Sequence, residues 1–219
     1  MISLLCPSRS RPEKAKRMCE SAFKNSGCKI DIKFFLNYDD PFLEKYKQFL
    51  QPSEYVIGPH QSPVHSWNLM AQNVEHDILF LVGDDSQFIT ENWGLKVLNA
   101  FDQYLDKIVC VYPKPQFPQY PNPHFCLHKN WINELGYFIP PMFYLHYVDT
   151  WIAHIAKRIN RFHCIQDFEM PVELIYDEVH NSYEKTWLHQ KDKWIWEKTY
   201  RHRELDALVL KNFIEGYKK

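Results

Sequence analysis

Glycine is scarce in this chain, with 6 among 219 residues and none between positions 1 and 26. That absence excludes a glycine-rich phosphate loop and a dinucleotide-binding fingerprint at the first strand-to-helix turn. The six cysteines stand at 6, 19, 28, 110, 126 and 164 with no C-x-x-C pair. Neither a zinc ribbon nor a compact disulfide framework has that spacing. Scattered cysteines in a chain of this length point to a reducing compartment, so a cytosolic protein is expected. The net charge of -1 removes any global bias toward polyanions. No apolar run approaches the ~20 residues of a membrane span, and the opening "MISLLCPSRSRPE" is too short in apolar residues for a signal peptide.

The chain is rich in aromatics, with 13 Tyr, 15 Phe and 7 Trp, and it holds 14 prolines. A hydrophobic share of 45% and a charged share of 24% describe an ordinary globular composition with a sizeable core.

The first half alternates two periodicities. "ISLLC" reads as a buried strand, and the helix opened by Pro12 carries Ala15, Met18, Cys19, Ala22 and Phe23 on one face, with Gly27 as its stop. "KIDIKFFLN" is a second strand, "FLEKYKQFL" a short helix and "EYVIG" a third strand. "VHSWNLMAQNV" is helical through Trp67, Met70, Ala71 and Val74, and "DILFLV" is a fourth strand. The next helix is expected to be capped by Thr90, with Trp93, Val97, Leu98 and Phe101 on its inner side, before a fifth strand, "KIVCVYP". Strand and helix in alternation predict an α/β fold with a mostly parallel sheet covered on both faces. Ligands of such sheets bind at the carboxyl ends of strands, where "PSRSR", "NYDD" and "GDD" all fall.

The second half is less regular. Five prolines in residues 113–123 exclude a helix or an inner strand and indicate a semi-rigid surface loop. A short helix ends at Gly136, and a longer one carries Trp151, Ile152, Ile155, Ala156 and Ile159 in a stripe. Residues 162–180 read as strand-rich, and the tail ends in a helical pattern. The expected division is a catalytic domain over 1–184, with a nucleotide-binding half at 1–112 and an acceptor half at 113–184, followed by a helical extension over 185–219.

Several clusters carry chemistry. Asp84 and Asp85 follow the apolar fourth strand. Such a pair binds Mg²⁺ or Mn²⁺ through hard oxygen donors, or it is an exposed turn. Arg9 and Arg11 suit a phosphate at a helix start, or they are solvated. Asn68 lines a nucleotide pocket or lies on the surface. Asp149 is a helix cap, a general base, or both. Asp177, Glu178 and His180 are possible metal ligands, whereas His124, His128 and His146 are spread over loops with no metal-like spacing. Residues 185–203 interleave Trp187, Trp194 and Trp196 with basic side chains. That pattern stacks bases, or it packs tryptophans inward with its charges solvated.

Taken together, "PSRSRPEKAKRM", "WNLMAQNVEHDILFLVGDDSQFITENWGLKVLNAFD" and "HFCLHKNWINELGYFIPPMFYLHYVDTWIAHIAKRI" resemble the GT-A glycosyltransferases, and more closely the small family-2-like members of phages. The resemblance spans most of residues 1–160. It implies a nucleotide-sugar donor, most readily a UDP-sugar, and Mn²⁺ or Mg²⁺. Pro7, Ser8, Arg9 and Arg11 would meet the nucleotide, Asp39 its base or ribose, and Asn68 its pocket. "GDD" replaces the family's Asp-x-Asp, with Asp85 on the metal and Asp84 in support. Asp149 would match the base of an inverting enzyme, although Val148 stands where many relatives have Glu. His180 would match the C-terminal metal ligand. The acceptor is DNA carrying modified bases or a glycan, and a phage enzyme would work in the host cytoplasm. Two alternatives are a sugar nucleotidyltransferase, which would want the missing glycine loop, and a nucleic-acid-binding protein with an inactive GT-A-like core.

Overall fold

A computed structural model of the chain describes residues 1–116, 123–173 and 183–217. Seven strands form one sheet in the order β3-β2-β1-β4-β6-β5-β7. The strands are β1 (Ile2–Ser8), β2 (Ile30–Asn37), β3 (Tyr55–Gly58), β4 (Ile78–Leu81), β5 (Cys110–Lys114), β6 (Phe125–His128) and β7 (Phe162–Glu169). Among these pairings only those made by β6 are antiparallel. The sequence places β5 as the next parallel strand after β4. The sheet instead inserts β6 between them, with Leu81 opposite Phe125 and Ile78 opposite His128. Because β6 runs backwards, its first residues lie at the same edge as the carboxyl ends of β1, β2 and β4. A single reversed strand therefore delivers the end of the proline-rich loop to the edge where α/β sheets bind ligands.

Strand periodicity divides the core into two layers. In β4, Ile78 and Phe80 join one apolar cluster while Leu79 and Leu81 join the other. The first layer is closed by α1 (Pro12–Asn25), α2 (Leu43–Lys47) and α4 (Trp93–Asp102). The second is closed by α3 (Pro63–Gln72), α5 (Lys129–Leu135), α6 (Val148–Arg158) and α8 (Tyr200–Tyr217), with α7 (Tyr183–Lys198) against the outside of this layer. Two local expectations are corrected. Phe23 is 45% exposed rather than part of the buried face of α1. Thr90 does not cap α4. It trades hydrogen bonds with the Glu169 backbone at the end of β7, and Asn92 takes a left-handed conformation before Trp93. The α5 stop at Gly136 (φ +78°) is as expected, since glycine adopts this conformation without strain.

The tail is not a loose appendage. Ala207, Leu210 and Ile214 of α8 are buried in the second cluster beside Trp151 and Ile155. Expected boundary 184/185 falls inside α7. The three tail tryptophans also divide: Trp196 is partly buried against the second cluster, while Trp187 and Trp194 are 53% and 61% exposed. No described helix is long and apolar enough to cross a membrane.

Candidate functional site at the carboxyl edge of the sheet

The β1–α1 turn is held by a chain of hydrogen bonds. Ser8, buried at the end of β1, donates to Asp84 Oδ2 at 2.6 Å. Its hydroxyl has one proton, so the 2.7 Å contact with Tyr46 must be a donation from the phenol to Ser8 Oγ. Tyr46 in turn accepts from the Arg11 backbone N–H at 2.9 Å. The order is Arg11 N–H, Tyr46 O–H, Ser8 O–H, Asp84, and each bond polarises the next. Ser10 sits at φ +58° because its N–H is held by Asp40 Oδ2 at 2.7 Å, while Asp40 Oδ1 accepts from Phe42 N–H at 2.8 Å. Pro7, one residue before Ser8, pairs in register with Phe35 of β2.

Asp84 and Asp85 answer the repulsion of neighbouring carboxylates in different ways. The Asp84 side chain is fully buried, with Arg11 Nη2 2.7 Å from its Oδ1. The N–H does not point at that oxygen, so the attraction is one of charge rather than an aligned hydrogen bond. Burial pushes the Asp84 carboxyl up to about 6, with Arg11 and then Ser8 pulling the other way. Asp85 keeps a side chain 25% exposed, with Arg11 Nη1 3.9 Å away. Its carboxylate folds back over Gly83, where a Cβ would lie 2.5 Å from Asp85 Oδ1 and 3.4 Å from His124 Cε1. Any side chain at 83 would push the Asp85 carboxylate out of this position.

Asp85 opens onto a cleft of about 380 Å³ whose other wall is Lys14 and Arg17 of α1 and the segment 171–173. That segment is attached by backbone bonds, from Gln87 N–H to Pro171 O and from Glu173 N–H to Asp85 O, both 2.9 Å. Glu173 is thereby carried into the cleft, paired with Arg17 at 3.0 Å and Lys14 at 3.6 Å. A second hollow of about 300 Å³, lined by Cys19, Phe23, Phe49 and Leu50 among others, lies over the α1 face rather than at the strand ends. It touches none of these carboxylates.

Among the described residues, no three His, Cys, Asp or Glu side chains gather closely enough to hold a metal. Both oxygens of Asp84 are engaged, by Ser8 and by Arg11. The hard carboxylate of Asp85, open to the cleft, fits Mn²⁺ or Mg²⁺ when substrate oxygens complete the shell. His180, Asp177 and Glu178 lie outside the described residues.

The other expected residues fall into three places. Arg9 and Asp39 meet each other, bidentate at 2.6 and 3.2 Å, and both side chains are more than a third exposed. That pair is worth little to stability and opens readily. Asn68 faces the opposite layer. Its amide donates to Val64 O and Ile139 O, and its oxygen accepts the N–H groups of Phe138 and Ile139 at 3.0 Å. The side chain clamps the turn after α5, with its donors and acceptor committed to backbone.

Asp149 lies in the first turn of α6, but Tyr147, at φ +65°, is the cap residue. The expectation of Asp149 as the cap is corrected. It is half-buried, and burial raises its pKa against a weak 3.4 Å contact from Thr150. Burial drives the Tyr112 phenol on β5 well above its ordinary value, with the neighbouring Cys110 thiol and, least, the Asp149 charge acting in the same direction.

Sequence reasoning missed Tyr46, Asp40, Lys14, Arg17, Glu173 and His124. Tyr46 looked like one more aromatic on a short helix. Lys14 and Arg17 stand at i and i+3 in the first two turns of α1, a spacing that puts both on one helix face. His124 is buried at the head of β6, with Nε2 3.1 Å from Ser86 Oγ, and burial lowers its pKa to about 4.

No family model matches the chain, and no curated protein matches it. Solved structures do. S. aureus TarS 1–349 in complex with UDP-GlcNAc superposes with a TM-score of 0.65 at 11% identity, covering 97% of this chain and 71% of that one. Another TarS 1–349 structure gives 0.58 at 14% identity, covering 77% of this chain and 59% of that one. The chain thus spans about three fifths of the latter's length. The mannosyltransferase PcManGT from Pyrobaculum calidifontis, in complex with GDP-Man and Mn²⁺, gives 0.54 at 9% identity over 75% of this chain and 54% of that one. Likeness at such identities is one of fold. It establishes an α/β architecture shared with glycosyltransferases.

Proposed function

We propose that this chain is a metal-dependent glycosyltransferase that moves a sugar from a nucleotide-sugar to an acceptor hydroxyl. The single observation that carries the reading is the arrangement of Asp84 and Asp85. One is locked through Ser8 and Arg11 to the β1–α1 turn, and the other is left open to a cleft with Lys14 and Arg17 on its far wall. Support comes from the fold shared with TarS and PcManGT, whose structures contain UDP-GlcNAc, and GDP-Man with Mn²⁺.

In this reading the nucleotide lies along Pro7–Arg11 and displaces Arg9 from Asp39, freeing a carboxylate for a ribose or base donor. Arg11, Lys14 and Arg17 face the diphosphate. Asp85 would hold Mn²⁺ or Mg²⁺, with His180 as the further ligand implied by the resemblance, and the bound ion would neutralise charge on the leaving diphosphate. Asp149 takes the proton of the acceptor hydroxyl while that oxygen forms a bond to the anomeric carbon. The bond to the diphosphate breaks and its electron pair leaves with the nucleotide. One such displacement inverts the anomeric centre, and a product of retained configuration would refute it. Asn68 acts here as framework.

The test is a thermal-shift screen of UDP-, GDP-, ADP-, CDP- and TDP-sugars with and without Mn²⁺. A ligand that binds only the native form raises the melting point. One donor class is expected to do so in a Mn²⁺-dependent manner, and Asp85→Asn is expected to remove the dependence. No shift with any donor would end the reading.

A polyanionic acceptor, such as DNA with modified bases, is favoured over a neutral glycan by one feature. Trp187, Lys191, Trp194 and Lys198 recur at helical spacing, all exposed on α7. Binding to plain DNA that weakens steeply with salt supports it. No binding at low salt favours the glycan.

A further inference from the structure

Asp192 lies in the middle of α7 and is fully buried. A buried carboxylate needs compensation, and here it comes from main chain. Oδ1 accepts the Tyr144 N–H at 2.9 Å, and Oδ2 accepts those of Leu145 at 3.0 Å and His146 at 2.8 Å. Three successive amides turned onto one anion form a nest, and charge-assisted bonds of this kind are roughly twice as strong as neutral ones.

The gripped residues lead directly to the proposed base. His146 is followed by Tyr147 in a left-handed conformation, then by Val148 at the start of α6, then by Asp149. A second grip from α7 acts on the same step. Trp196, one turn beyond Asp192, stacks on Tyr147 with ring centroids 6.0 Å apart and planes 18° apart. The Arg203 guanidinium sits 3.7 Å from the Trp196 ring centre, fixing the tryptophan from α8. The left-handed Tyr147 costs on the order of 1–2 kcal/mol, so the entry to α6 is not the conformation the loop would take unaided.

We infer that Asp192 is a positioning residue for Asp149, and that α7 thereby belongs to the catalytic apparatus. The inference rests on the reading of Asp149 as the base. A base displaced by ~1 Å loses about 10²-fold in rate even when binding is intact. Asp192→Asn presents an amide N–H₂ to at least one backbone N–H and breaks the nest. Asp192→Glu retains the carboxylate on a longer arm.

The experiment uses the full chain, with the nucleotide-sugar found by thermal shift and water as acceptor, and follows release of the nucleoside diphosphate. Asp149→Asn and Lys193→Ala, an exposed neighbour on α7, are measured alongside. Expected results are a fall in kcat of about 10²-fold for Asp192→Asn with the donor KM within twofold, partial recovery in Asp192→Glu, and no change in Lys193→Ala. Donor-induced melting shifts should persist in both Asp192 variants, which shows that the donor half stays folded. If either folded Asp192 variant keeps wild-type kcat while amide exchange at residues 144–146 speeds up, the nest is only a tether and the inference falls. If kcat and KM deteriorate together, Asp192 supports the fold at large and the inference also falls. If Asp149→Asn itself retains full kcat, the base assignment fails first and takes this inference with it. That result is distinct from an inactive Asp149→Asn beside a fully active Asp192→Asn.

Discussion

Two regions of the molecule anchor a buried carboxylate in different ways. At the carboxyl edge of the sheet, Asp84 is met by side chains, the Ser8 hydroxyl and the Arg11 guanidinium. On α7, Asp192 is met by three main-chain amides. Side-chain partners can be displaced by a ligand. Arg11 is 38% exposed and also reaches toward Asp85, so it can turn toward an incoming phosphate. Amides of a fixed loop cannot turn away without moving the loop. The sheet edge can therefore exchange partners while the loop before α6 holds still, which on the proposed function would suit a diphosphate that arrives and leaves past a fixed base.

Four experiments break or sharpen that contrast. The largest effect is expected from Asp149→Asn, which should lower turnover by ~10²–10⁴ while leaving donor binding unchanged, read as diphosphate release against donor-induced melting shift. In the wild type, turnover should fall with acid at a pH above the usual carboxylate range. Burial raises the Asp149 pKa, and only the ionised form takes a proton.

Next is Arg11→Met. Removing the cation leaves Asp84 buried beside Ser8 alone. A destabilisation of about 3 kcal/mol is expected in urea unfolding, the low end for breaking a buried pair because Arg11 is partly exposed. The same change raises the Asp84 pKa further.

Third is the pH dependence of Asp84→Asn. The folded-state carboxyl sits near about 6, above its unfolded value of 3.8. A raised carboxyl contributes stability in full below the unfolded value, and that contribution is lost as pH rises through the folded one. Between pH 3.5 and 7 the variant should therefore gain on the wild type by on the order of 3 kcal/mol, from the two-unit shift. A gap that stays constant would mean Asp84 is ionised without penalty, so that the two anchors would no longer differ.

The smallest effect on stability is expected from Gly83→Ala. The new methyl meets the tip of the Asp85 side chain, which can swing away, so unfolding should change by about 1 kcal/mol or less. Mn²⁺-dependent donor stabilisation should nevertheless drop, because the carboxylate that moves is the one open to the cleft. Loss of stability without loss of the Mn²⁺ effect would count against Asp85 as the metal residue.

Much of this was legible in the chain. Period-two alternation in β1 and β4 and the helical stripes of α1, α3, α4 and α6 come from burial on one or two faces, which leaves a local signature. The grouping of Ser8, Asp84 and Asp85 followed from their shared position after strands. The hydrogen-bond partners were not legible. Tyr46 and Asp40 reach the β1–α1 turn from 30 to 38 residues away. Asn68 and Asp192 carry no local mark that separates an exposed polar residue from a clamp. Asn68 was expected in a nucleotide pocket and is instead fully engaged with backbone 70 residues on. The tail read as a basic, aromatic segment because charge and tryptophan content say nothing about which face is inward.

By itself, then, the sequence determined most elements of the first half, the layered α/β class and the gathering of charged residues at the strand ends, because side-chain periodicity and turn residues act over a few positions, whereas the four-residue β6 left no signal of its own. Only the tertiary structure decided the reversal of β6, the engagement of Asp84 by Arg11, the carriage of Glu173 into the cleft and the seating of Asp192 beneath the loop before Asp149. Each is a pairing of groups far apart in the chain, fixed by the need to satisfy buried charge and backbone that no short stretch can meet alone.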